Sequence, residues 1–90
     1  MNWKLILSRR AKRRILSLNK NLKIRIDKAV VNMLNYYEDK SKKKPDLKVL
    51  KGKYKGILRL RVGKYRVLFK MSMKKREIFI IDIVSRSDLY

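Results

Sequence analysis

Any chemistry in this chain has to be done without histidine or cysteine, because neither occurs among the 90 residues. Their absence removes the usual general base, the commonest metal ligand, and any thiolate or disulfide. The sequence also holds no glycine-rich phosphate loop, no metal-ligand cluster and no Ser/His/Asp arrangement. Its seven acids include no convincing spaced pair. Lysine, arginine and tyrosine remain. They concentrate in LKGKYKGILRLRVGKYR, residues 50–66, where two alternating runs are split by Gly63-Lys64. That pattern predicts a β-hairpin with a two-residue turn, setting Val62 opposite Tyr65 and Arg61 opposite Arg66. Leu58, Leu60, Val62, Tyr65 and Val67 then share one face, and Arg59, Arg61 and Arg66 share the other. Like charges directly opposite each other destabilise a sheet. An anion bound on the arginine face would compensate.

The whole composition points the same way. Lys and Arg number 27 against seven Asp and Glu, a formal charge of +20, and no acid precedes Asp27. Such a field repels itself and draws in polyanions, so nucleic acid is the leading partner class. An anionic membrane surface and an acidic protein are the plainer alternatives. Hydrophobic residues make up 46% and are well patterned, which excludes a disordered polybasic tail. No apolar run approaches the roughly 20 residues of a membrane span. The opening MNWKLILSRR is too short in its apolar part and too charged for a signal peptide. A soluble, cytoplasmic protein of one domain, residues 1–90, is expected.

The elements that must position the hairpin follow from periodicity. Asn2 to Leu7 reads as a first strand, and Ser8 as the N-cap of a helix of about eleven residues in which Ala11, Ile15 and Leu18 form the apolar face. Arg9, Arg10, Arg13 and Arg14 cover the rest of that helix, either as a solvated surface or as a contact for an RNA backbone. After a break at Asn19–Asn21, a second helix runs from about Leu22 to Asp39 with Leu22, Ile26, Ala29, Val30, Met33 and Tyr37 in one stripe. Glu38 and Asp39 oppose the dipole, and fraying is expected there. Pro45 closes a basic loop, KSKKKPD. The segment after it, with Lys48, Lys51, Lys53 and Lys55, leads into the hairpin. The hairpin's second strand continues through Phe69 and Met71 to a turn near Lys74-Lys75. IFIIDIV, residues 78–84, is apolar on both faces apart from Asp82, as a central covered strand would be. The order is β-α-α-β-β-β, an α+β domain with an N-terminal αα-hairpin on one face of a mainly antiparallel sheet. The arginine face stays uncovered.

The pattern LKG…YKGILRLRVGKYRVLFKM…EIFIIDIVSRSDLY resembles the RelE branch of the RelE/ParE toxin superfamily. The resemblance is specific at Leu50-Lys51-Gly52, at RVGKYRV and at the terminal R-x-x-x-Y, and it spans essentially the whole chain. It implies a RelE-like fold and a ribosome-dependent endoribonuclease (an mRNA interferase) of a type II toxin–antitoxin system. Such a toxin works in the decoding site without cofactor or metal, attacking the adjacent phosphate with the ribose 2′-OH and leaving a 5′-OH. Its partners would be a cognate acidic antitoxin, ribosomal RNA and messenger RNA.

Carried over by residue, the resemblance makes Arg66 the stabiliser of charge developing on the phosphate. It makes Arg86 a second phosphate-binding arginine and Tyr90 the residue that orients the nucleotide. Arg59 stands where the family has a lysine, and Arg61 falls on a family arginine; Ile57 stands at the other lysine position. Arginine holds its proton, whereas a lysine crowded by cations can release one. Lys53 or Lys55, flanked by Lys51, Arg59 and Arg61, is therefore the candidate base. Arg61, Lys51, Arg9, Arg10, Arg13 and Arg14 are the candidate RNA and ribosome contacts. Two other readings stay open: a ParE-like inhibitor of DNA gyrase, and a nucleic-acid-binding protein that cleaves nothing.

Overall fold

The computed structural model describes residues 3–85. Its elements run β1 (Lys4–Leu7), α1 (Arg9–Ser17), α2 (Lys20–Glu38), β2 (Leu47–Val49), β3 (Leu58–Val62), β4 (Tyr65–Ser72) and β5 (Glu77–Ser85), with a 3-10 turn at Gly52–Tyr54. The sheet order is β1-β5-β4-β3-β2. β1 lies parallel to β5, and every other pairing is antiparallel. This is the expected α+β arrangement with one strand more. Leu47–Val49, read from sequence as lead-in, pairs with β3 as a three-residue edge strand. The alternation there is too short to register as a strand. β5 is an interior strand, as expected, flanked by β1 and β4, and β4 beside it stands at the middle of the sheet.

The helices begin where side chains cap them. Ser8 Oγ accepts from Ala11 N at 3.0 Å, as its position predicts. Asn19 Oδ1 accepts from Leu22 N at 2.9 Å, which moves the start of α2 upstream to Lys20. The helix ends at Glu38, with Asp39 as its C-cap, one residue short of the expected end. The Glu38 carboxylate accepts from Trp3 Nε1 at 2.9 Å and pairs with Arg76, tying the end of α2 to β1 and to the β4–β5 turn. The Trp3 hydrogen bond is the largest cause holding the Glu38 carboxyl below the usual carboxylate range; desolvation opposes it, and Arg76 adds further lowering.

One core joins helices and sheet. Ala11, Ile26, Val30 and Met33 meet Leu60, Val62, Val67, Phe69, Ile78, Ile80 and Ile83, all buried. Leu60, Val62, Val67 and Phe69 are on the face the hairpin register assigns to the core, so the helices cover that side and leave Arg59, Arg61 and Arg66 on the other. A register shift between Leu68 and Phe69 keeps both Ile80 and Ile83 in the core while Asp82 moves to the far face. β1 pairs with β5 only as far as Ile80. Beyond it Ser8 takes over, donating from its backbone to Ile80 O at 3.0 Å and from Oγ to Ile81 O at 2.5 Å. Those contacts seat the start of α1 against β5.

Candidate functional site: the arginine face of the sheet

The turn sets the register of the site. Gly63 has φ 60°, and Lys64 is not in the left-handed region, the pattern of a turn with glycine at its first central position. Across it Arg61 pairs with Arg66 and Val62 with Tyr65, as the sequence predicts. The burial is not as predicted. Arg66 is only 7% exposed, not one of a solvated row. Its Nη1 donates to Gly63 O and to Tyr65 O, each at 3.0 Å. The carbonyls of the turn thus orient the planar guanidinium. Arg61, directly opposite, is exposed.

Arg59 lies one row away on the same face, beside Leu68 of β4 and Lys48 of β2. Its side chain is 15% exposed, and its Nη2 donates to Asp46 Oδ1 at 3.0 Å. Arg61 Nη1 is 3.9 Å from Asp46 Oδ2. Asp46 therefore serves two arginines at once, a role sequence reasoning missed. The only signal for it is that Asp46 closes the lysine loop immediately before β2. Arg59 Nε is buried without a hydrogen-bond partner, so one donor on this face remains to be satisfied.

The arginines of α1 divide by helical spacing. Arg10 and Arg14, four residues apart, both approach Asp82, at 3.8 and 3.5 Å. Arg9 and Arg13 are exposed on the remaining surface. Asp82 is buried and also accepts from Ile83 N at 2.8 Å, so it anchors α1 to β5.

Lys51, Lys53 and Lys55 are exposed in and around the 3-10 turn, with Lys53 Nζ 5.2 Å from the centre of the Tyr54 ring. This turn enters β3 at Leu58, the end opposite Gly63-Lys64. Three residues of strand, about 10 Å, separate Leu58 from Arg61. The two candidate bases and Arg66 thus stand toward opposite ends of the hairpin. Arg86 and Tyr90 lie outside the described residues. Among the described residues no group of acids could hold a metal ion, and no helix is long and apolar enough to cross a membrane.

Two helices and a mixed five-stranded sheet form the α+β architecture seen in toxins of the RelE type, and the comparisons agree. The family of ParE toxins of type II toxin–antitoxin systems, parDE, matches residues 5–90. The chain belongs to that family and so to the RelE/ParE toxin superfamily. A search of curated proteins returns no sequence match. Among solved structures, the RelBE2 toxin–antitoxin complex from Mycobacterium tuberculosis is similar at 16% identity and a TM-score of 0.74, covering 96% of this chain and 100% of the other. An archaeal RelE–RelB complex from Pyrococcus horikoshii is similar at 22% identity and a TM-score of 0.71, covering 96% and 97%. A YoeB/ParE toxin from Agrobacterium tumefaciens follows at 14% identity and 0.70, covering 91% and 96%. These likenesses establish a RelE-like fold.

Proposed function

We propose that this toxin is a ribosome-dependent endoribonuclease that cuts messenger RNA in the decoding site and so stops translation. The observation carrying this reading is Arg66: a buried guanidinium, fixed by Gly63 O and Tyr65 O and set opposite an exposed Arg61. Donors fixed before the reaction stabilise charge that develops in the transition state without reorganising. In the reaction a base removes the proton of a ribose 2′-OH, and the 2′ oxygen bonds to the adjacent phosphorus. The bond to the 5′ oxygen breaks, and that oxygen leaves as a 5′-OH after taking up a proton. Arg66 meets the charge on the phosphoryl oxygens, with Arg61 and Arg59 adding to the positive field. Arg86 is a second phosphate ligand, Tyr90 orients the nucleotide, and Lys53 or Lys55 is the base. Lys51 and the exposed Arg9, Arg10, Arg13 and Arg14 contact ribosomal RNA, Arg10 and Arg14 being held near Asp82 at 3.8 and 3.5 Å while their side chains stay exposed. An acidic antitoxin silences the protein in the cytoplasm; the +20 charge and the antitoxin-bound state of the similar structures support that partner.

The matching ParE family favours one other reading, inhibition of DNA gyrase without RNA cleavage. One experiment separates them. Purified toxin is added to ribosomes stalled on a defined message, the 5′ ends of the RNA are mapped, and supercoiling by gyrase is assayed in parallel. Cuts inside the decoding codon that disappear with Arg66→Ala are expected. Intact message together with blocked supercoiling would overturn the nuclease reading. Replacing Lys53 and Lys55 together should slow single-turnover cleavage; an unchanged rate removes both from the reaction.

A further inference from the structure

The lysine loop is not a loose surface segment. Its start is held by Ser41, whose backbone and hydroxyl both donate to Asp39 Oδ1, and by Lys42 N donating to Asp39 O at 3.0 Å. Its end is held by Arg61 N donating to Asp46 O at 3.0 Å. Between these anchors the loop stands off α2 and encloses a groove of about 580 Å³. One wall is Lys42, Lys43 and Lys44. The other is a single row of α2, Ala29, Asn32 and Asn35, each three residues from the next and so on one side of the helix. The small Ala29 leaves the floor open, and the two carboxamides offer donors and acceptors together. Arg61 also lines the groove.

We propose that this groove holds the stretch of messenger RNA that flanks the bond to be cut, its phosphates on the lysine wall and a base against Asn32 and Asn35. Three observations select this occupant. Four cations line the groove against one acid, Asp46, which is already engaged by Arg59 and Arg61, so the site carries uncompensated positive charge. The groove offers no large apolar anchor for a partner helix; its apolar lining is Ala29, Pro45 and Leu60. Arg61 belongs to both places, lining the groove and standing opposite Arg66, with adjacent strands about 5 Å apart. Arg61 is thus the residue past which a strand held at Arg66 would continue, around the edge of the sheet beyond the last β2–β3 pair, into the groove. Unpaired RNA is bound by cations along its backbone and by polar groups on its base edges. The inference rests on reading the arginine face as an RNA site.

The test uses a short single-stranded RNA blocked by 2′-O-methyl groups and measures its affinity between about 50 and 200 mM salt. Lys42, Lys43 and Lys44 are changed together to Gln. A control with the same loss of charge changes the exposed Lys12, Lys74 and Lys75 to Gln. Each phosphate contact on a single strand contributes about 0.7 to the slope of log affinity against log salt. The groove variant is expected to lose about 2 from that slope, and the control much less. Asn32→Ala and Asn35→Ala are expected to weaken binding severalfold with the slope unchanged. Equal losses in the two lysine variants would overturn the proposal, leaving only a diffuse field. So would normal RNA affinity in a groove variant that fails to bind ribosomes, since the groove would then serve ribosomal RNA. If the unaltered toxin cuts nothing on ribosomes yet the groove-specific slope change appears, the groove stands and the nuclease reading falls.

Discussion

Arg66 combines two roles that usually belong to different residues. It is buried like a structural side chain, and it completes the turn by donating to Gly63 O and Tyr65 O. Its charge also stands beside Arg61 at a site proposed to hold phosphate. Arg66→Ala therefore has two expected consequences. Losing the two part-buried hydrogen bonds from a charged donor costs about 1–3 kcal/mol of stability, measured by denaturant unfolding. Losing a preorganised donor slows single-turnover cleavage by about 10²–10³-fold. Arg66→Lys separates the two: it restores the charge but not the planar fork, so stability recovers further than cleavage. Full recovery of cleavage by lysine would show that only charge matters there. The opposition of Arg61 and Arg66 was legible in the sequence because one local feature, Gly63-Lys64, fixes the register. The burial of Arg66 was not, because it depends on where the turn carbonyls point. The double pairing of Asp46 was hidden for a related reason: its partners Arg59 and Arg61 lie across a strand pairing that local pattern does not announce.

At the scale of elements, the hairpin depends on one glycine. Gly63 has φ 60°, and a Cβ there would lie 2.9 Å from Arg25 Nη2 of α2. The arginine tip can move, so the backbone conformation supplies most of the cost. Gly63→Ala should lose about 1–2 kcal/mol by chemical denaturation, while Lys64→Ala, at a position without positive φ, should lose little. An unaffected Gly63→Ala protein would mean that the turn adopts another type.

The far end of α2 gives a pH prediction. The folded-state pKa of Glu38 is lowered, through Trp3 and then Arg76. The unfolded state therefore takes up this proton first as pH falls. Stability from this group is complete above the ordinary glutamate pKa and is lost as pH drops through the lowered value. Glu38→Gln should flatten the acid limb of the unfolding midpoint plotted against pH, leaving less dependence below about pH 4.5. An identical acid limb would show that the contact to Trp3 and Arg76 does not persist in solution. Periodicity made both helices legible, with Ala11, Ile26, Val30 and Met33 on the buried side as expected. It missed the start of α2, which a side-chain cap at Asn19 decides, and it missed β2, three residues long and meaningful only when paired with β3.

For the whole molecule the decisive quantity is charge crowded into a small volume. The formal charge is +20, and the molecule measures 33 × 31 × 23 Å. At about 10 mM salt the screening length is about 30 Å, so every cation interacts with the rest; at about 150 mM it is about 8 Å, and only neighbours do. Mutual repulsion favours the expanded unfolded chain. The thermal midpoint should therefore rise between these salt concentrations, although screening also weakens ion pairs such as Arg14–Asp82 and Arg59–Asp46. Those attractive pairs are few against 27 cations, so relief of repulsion wins. At constant ionic strength a polyanion such as single-stranded RNA should raise the midpoint further, in proportion to the logarithm of its concentration, if the proposed site on the folded surface binds it more tightly than the unfolded chain does. A midpoint that falls as salt is added would show the reverse ordering, with the ion pairs outweighing the repulsion. The salt response and the RNA response are separable for this reason: the first reports the summed field, while the second requires the folded arrangement of the arginine face and the groove beside it.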